Sequence, residues 1–230
     1  MSKLIKINLA VVLIMFIGTA LDVSPVAADS CPALGNIHYY NFGETHGYTT
    51  YGGHTKSTEQ NYFAPDWASW GFVDQTLWVT SGVQTSSYWA EIGFGHGWEG
   101  QNIKYFYYAR ANPSLPYAEF KLNKTPGGAG TWHTYEIIIL SNGVFTSKID
   151  GTTYYTTAGF DNYSQKIQFG GEITSGSATM PDAPANELYY KNSAGTWSQW
   201  SSDTTKTVCY SDDPYQWAWS AFPNSGHFWR

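Results

Sequence analysis

Residues 130–155 read GTWHTYEIIILSNGVFTSKIDGTTYY. Three β-rich runs overlap this stretch, HTYEIIIL (133–140), VFTSKID (144–150) and GTTYYTT (151–157), with only turn residues between them. Val, Ile, Thr, Tyr and Phe suit a pleated, half-buried surface on which branched and aromatic side chains pack. Ser141-Asn142-Gly143 and Asp150-Gly151 are hairpin signals, because Asn, Asp and Gly accept the positive φ of tight turns. No helical period runs through the stretch. It therefore predicts antiparallel strands laid back to back.

The same texture continues on both sides. TLWVTSGV (76–83), SSYWAEIGF (86–94), IKYFYYAR (103–110), YAEFKL (117–122) and QKIQFGGEI (165–173) are further short β-rich runs at the spacing of a sandwich. NKTPGGAG (123–130) reads as a flexible loop, and SGSATMPDAPAN (175–186) as a longer one whose prolines cannot donate to a ladder. No repeat, linker or shift of composition divides the chain, so residues 29–230 are expected to form one all-β antiparallel β-sandwich domain.

The ends and the composition bound the function. Residues 1–28 have a basic start (Lys3, Lys6), the apolar run INLAVVLIMFIGTAL and small residues before Ala28, the pattern of a cleaved signal peptide. The apolar run is too short to span a membrane. The expected product is a secreted, extracellular, soluble monomer. Loss of Lys3, Lys6 and Asp22 leaves 10 basic and 17 acidic residues, a net charge of −7. So acidic a chain, with no basic cluster, excludes nucleic acid and anionic membrane as natural partners. Cys31 and Cys209 are the two cysteines, and in an exported protein they predict one disulfide.

Strand parity singles out two carboxylates. Residues i, i+2 and i+4 of a strand share a face. In KIQFGGEI (166–173), Ile167, Phe169, Gly171 and Ile173 oppose Gln168, Gly170 and Glu172. In YWAEIGF (88–94), Ala90, Ile92 and Phe94 oppose Trp89, Glu91 and Gly93. Each strand buries an apolar face and turns a glutamate, with a glycine two residues away, to the other side. Glycine there leaves room for a ligand to approach. Glu136 shares its face with Thr134 and Ile138 and reads as an edge or surface residue. Glu119, Asp150 and Asp161 lie at turns or strand ends, where solvent is the ordinary destination, and Glu99 lies in a loop.

KIQFGGEI resembles the strand that carries one catalytic glutamate in the neprosin-type glutamic endopeptidases, with the pattern hydrophobic-Gln-aromatic-Gly-Gly-Glu-hydrophobic. YWAEIGFGHGW is similar to the earlier segment of that family in which a glutamate is followed closely by Gly and an aromatic. KYFYYAR (104–110) and ELYYKN (187–192) fit its aromatic strands. The hairpin unit at 130–155 also resembles the strands of concanavalin-like jelly rolls, in which one sheet is concave. The resemblance implies that Glu91 and Glu172 are a catalytic pair acting on a peptide or protein substrate, without a cofactor. Two nearby carboxyls share a proton in acid, so one activates water while its partner, or Gln168, supports the developing oxyanion. Candidate substrate contacts are Gln168, Trp89, Trp98, His96 and Tyr107.

The alternative reading is a non-catalytic module that binds polysaccharide. WASWGF (67–72), WSQW (197–200) and YQWAWSAF (215–222) hold aromatics that either stack on sugars or fill the core. A glycoside hydrolase would also use two carboxylates, but no Glu-x-Asp-x-x-Glu run is present. His38, His46 and His54 recur every eight residues without forming a metal motif such as H-E-x-x-H, so no metal site is expected.

Overall fold

The hairpins predicted between residues 133 and 157 form as β7 (Trp132–Ile139), β8 (Phe145–Ile149) and β9 (Thr152–Thr157). Gly143 and Gly151 take positive φ at the two turns, as does Asp150. The structure, a computed structural model, describes residues 39–82, 88–174, 177–201, 204–208 and 216–230. The expected signal peptide (1–28), Cys31 and Cys209 lie outside these residues.

Two antiparallel sheets pack face to face, the expected β-sandwich. The first has the order β13-β1-β10-β3-β4-β5-β6. Its strands are β1 (Tyr39–Thr50), β3 (Val73–Thr80), β4 (Trp89–His96), β5 (Lys104–Asn112), β6 (Leu115–Lys121), β10 (Ser164–Ile173) and β13 (Thr204–Val208). The second has the order β14-β15-β11-β2-β7-β8-β9. It adds β2 (Gly52–Thr58), β11 (Ala183–Lys191), β14 (Gln216–Ala221) and β15 (Ser225–Trp229), while β12 (Trp197–Gln199) pairs with β11.

Phe94, Phe106, Leu77, Ile92 and Phe169 of the first sheet meet Tyr135, Ile137 and Phe145 of the second in the core. Each such side chain contributes roughly 1.5–3 kcal/mol by leaving water. A polar bridge crosses the middle: Gln75 accepts from Tyr62 at 2.7 Å and donates to the Tyr135 hydroxyl at 3.1 Å. Asn41 clasps the second sheet to the first, its amide donating to the carbonyls of Gln216 (3.1 Å) and Trp229 (3.0 Å). Trp200 and Trp217 are buried, so these two members of the aromatic clusters fill the core, whereas Trp70 is exposed.

Three departures from the sequence reading matter. β3 spans Val73–Thr80 and not 76–83, so the polar Asp74 and Gln75 belong to the strand. β11 begins at Ala183, inside the expected 175–186 loop, and carries Pro184 opposite His227 of β15. β1 and β2 were not anticipated, because YYNFGETHGYTT and GGHTKST place Asn, Gly, Thr and Ser on their inward face, where an apolar alternation is sought.

Candidate active site

The face of the first sheet turned away from the core carries the predicted glutamates, and ladder register fixes how they sit. One row across the sheet reads Tyr40, Glu172, Asp74, Gly95, Tyr105. The next reads Phe42, Gly170, Thr76, Gly93, Tyr107, and a third reads Glu44, Gln168, Trp78, Glu91, Ala109, Glu119. Glu172 and Glu91 thus lie on the same sheet, on either side of β3. Ordinary strand spacing separates their backbones by roughly 10 Å across and 13 Å along the sheet. Across that span Glu91 still feels the charge of Glu172.

The glycines have a different use from the expected one. A Cβ on Gly170 would lie 2.2 Å from the Asn41 carbonyl and 2.7 Å from the Phe42 ring. One on Gly93 would lie 2.8 Å from the Tyr107 ring. The space released by each glycine is filled by a neighbouring aromatic ring and not left open for a ligand. Phe42 and Tyr107 therefore lean in from the two sides of Thr76.

Aromatic rings pack around the carboxyls on this face. Trp78 lies 4.7 Å from Trp89 and 6.0 Å from Phe42, and Trp98, on a single 3-10 turn after β4, lies 5.2 Å from Tyr105. Glu172, Glu91 and Asp74 are consequently only 5%, 5% and 3% exposed. Burial first, then the charges of Glu172, Asp74 and Glu119, push the Glu91 carboxyl well above the ordinary glutamate range. Burial, then Glu172 and Glu119, do the same to Asp74, against Tyr107 and the Glu172 backbone N–H, which favour its ionised form. Burial raises Glu119 to about 7, although the Tyr117 hydroxyl donates to it at 3.0 Å. One oxygen each of Glu91 and Asp74, and the Trp78 indole N–H, are buried with no formed hydrogen bond.

The other predicted contacts divide. Trp89, Trp98 and Tyr107 share the glutamate face. Gln168 does too, but its amide donates to Glu44 at 2.6 Å, and Lys166 pairs with the same Glu44 oxygen at 3.0 Å. One of the two Gln168 amide protons is therefore committed. His96 has the parity of Ile92 and Phe94, opposite to Glu91. It accepts from the Ala64 N–H at 3.2 Å, faces Asn102 at 2.8 Å and packs on the Phe63 ring.

Sequence reading missed Asp74. The run read at 76–83 begins three residues after the strand itself does. Extended back by the same parity that places Trp78 beside Glu91, the strand would have shown Asp74 on the glutamate face. Glu119, assigned to solvent, belongs to that face as well, opposite Ala109. Glu136, on the outer face of the second sheet, bonds to His54 at 3.0 Å, and His54 also meets Glu187 at 3.2 Å. Asp150 bonds to His133 at 2.7 Å, and Asp161 accepts from Ser81 at 3.2 Å. Among the described residues, no group of three or more His, Cys, Asp or Glu is arranged to hold a metal ion.

The sandwich is similar to that of scytalido-glutamic peptidase with a transition state analog inhibitor, with a TM-score of 0.62 at 10% identity over 84% of this chain and 98% of that one. A second structure of that peptidase, with a peptide-based analog, gives 0.61 at the same identity and coverage. SCP-B, a member of the eqolisin family of peptidases in complex with the tripeptide Ala-Ile-His, gives 0.57 at 10% identity over the same shares of the two chains. At this identity the likeness shows the fold, a concanavalin-like jelly roll. No family model and no curated protein matches the chain.

Proposed function

We propose that the protein is a secreted glutamic peptidase of the neprosin type, hydrolysing peptide bonds in acid. The observation that carries this reading is the gathering of Glu172, Asp74 and Glu91 on one buried, aromatic-walled sheet face. The fold it shares with glutamic peptidases supports it.

The chemistry follows from the electrostatics of that face. Glu172, as carboxylate, takes a proton from a water molecule whose oxygen attacks the scissile carbonyl carbon. Glu91, which burial keeps protonated, donates to the carbonyl oxygen, so the tetrahedral intermediate forms as a neutral diol. As the intermediate collapses, Glu172 passes its proton to the amide nitrogen and the C–N bond breaks. Glu91 recovers its proton from the diol hydroxyl as the C=O bond re-forms.

The test is a proteome-derived peptide library incubated at about pH 4 with wild type and Glu172→Gln, alongside soluble and insoluble polysaccharides. Cleavage of peptides by wild type alone supports the reading. Polysaccharide binding without cleavage of peptides, indifferent to changes at Glu91 and Glu172, contradicts it in favour of a glycan-binding module.

A further inference from the structure

Asp74 is the residue of β3 that lies directly opposite Glu172 of β10. Side chains so opposed stand with their Cβ atoms about 5 Å apart, within reach of a carboxyl–carboxyl hydrogen bond. On the other flank of Asp74 is Gly95 of β4, where an added Cβ would fall 2.6 Å from the Asp74 Cβ. The absence of a side chain there leaves Glu172 as the cross-strand neighbour of Asp74. Oxygen Oδ1 of Asp74 is buried with no formed hydrogen bond. An ionised carboxylate in that state is costly, and a carboxylate directly opposite makes it costlier. Both difficulties vanish when Asp74 carries a proton and gives it to Glu172 in a hydrogen bond.

We propose that Asp74 is a positioning residue of the same centre, whose protonated carboxyl donates to the Glu172 carboxylate and turns the second Glu172 oxygen towards the attacking water. The proposal rests on the reading of Glu172 as the base. The groups that face or bear on Asp74 are Glu172 on β10, Tyr40 on β1, Glu91 on β4, Tyr105 and Tyr107 on β5 and Glu119 on β6, with Tyr62 on the core side of the sheet. None of these is a cation, so no positive charge competes with the proton for Asp74.

Two measurements on the full chain test this. In the first, carboxyl ¹³C NMR follows the Asp74 titration in wild type and Glu172→Gln. The midpoint is expected to fall by about one pH unit or more in the variant, because the charge opposite has gone; an unmoved midpoint overturns the proposal. The second compares Asp74→Asn and Asp74→Ala. The amide can still donate, so Asp74→Asn keeps kcat within about tenfold of wild type, whereas Asp74→Ala loses roughly 10–100-fold in kcat with little change in KM. In Asp74→Ala, but not Asp74→Asn, the acid limb of the pH profile moves to higher pH, since the Glu172 carboxylate has lost its hydrogen-bond donor. Wild-type kcat and an unshifted limb in Asp74→Ala, with Glu172→Gln inactive, overturn the role of Asp74 alone. Should wild type cleave no peptide, the peptidase reading fails, and the NMR titration decides the Asp74–Glu172 bond by itself.

Discussion

Glu91 is a carboxyl on a strand whose alternate residues, Ala90 and Ile92, are core. Parity alone placed it on the far face with Trp89, and likewise placed Glu172 with Gln168, so both were legible in the sequence. That they would be buried was not, because the covering rings of Trp78, Tyr107 and Trp98 come from elsewhere in the chain. Burial changes what pH does to the protein. Glu91, Asp74 and Glu119 keep their protons in the folded chain at pH values where the unfolded chain has released them. Their contribution to stability is full below the ordinary carboxyl range and is lost as pH rises through the raised values. The protein should therefore melt at a higher temperature near pH 4.5 than near pH 8, and Glu91→Gln should narrow the difference. Equal melting temperatures for wild type at the two pH values would contradict the burial of these carboxyls. Asp74 escaped the sequence reading because Val-Asp-Gln does not look like the start of a strand. Gln75 is inward but polar, satisfied by Tyr62 and Tyr135.

Among the elements, β7 to β9 were legible because their turns are written in Asn, Asp and Gly. The loop between β6 and β7 was legible as a loop but not as an anchored one. Its Gly127 and Gly128 backbone N–H groups donate to the fully buried Glu59 at 2.7 and 2.8 Å. Glu59 also bonds to His133 at 2.8 Å, and the other nitrogen of His133 meets Asp150, which pairs with Lys124 at 3.1 Å. Glu59, just beyond β2, thereby ties together the connection between the two sheets. No local sequence signal joins residues so far apart. Glu59→Ala strands two backbone donors and the His133 ring, and should cost roughly 2–5 kcal/mol in urea unfolding. A loss below about 0.5 kcal/mol would show that the anchor is not used. Gly170→Ala belongs at this scale too. Its Cβ meets the Asn41 carbonyl of β1 as well as the Phe42 ring, so the variant should separate β1 from β10 and destabilise the sheet by roughly 1–3 kcal/mol. Wild-type stability in that variant would contradict the close packing of Phe42 over the strand.

For the molecule as a whole, the likeness to glutamic peptidases at 10% identity reflects what a sandwich requires: alternation, turns, and two inner faces of matching volume, with few fixed residues. The same tolerance explains why the fold was readable while the pairing of carboxyls across it was not, since register between strands distant in sequence sets which of them meet. The described residues bring Glu172, Asp74 and Glu91 to one sheet face, with aromatic rings around them and β3 running between the two predicted glutamates. The central claim is that two of those carboxyls hydrolyse peptide bonds. The most direct measurement is kcat/KM on a single cleaved peptide at about pH 4 for wild type, Glu172→Gln and Glu91→Gln, with folding checked by circular dichroism. Each glutamine variant should lose on the order of 10²–10⁴-fold while remaining folded. Wild-type turnover in either folded variant would contradict the account.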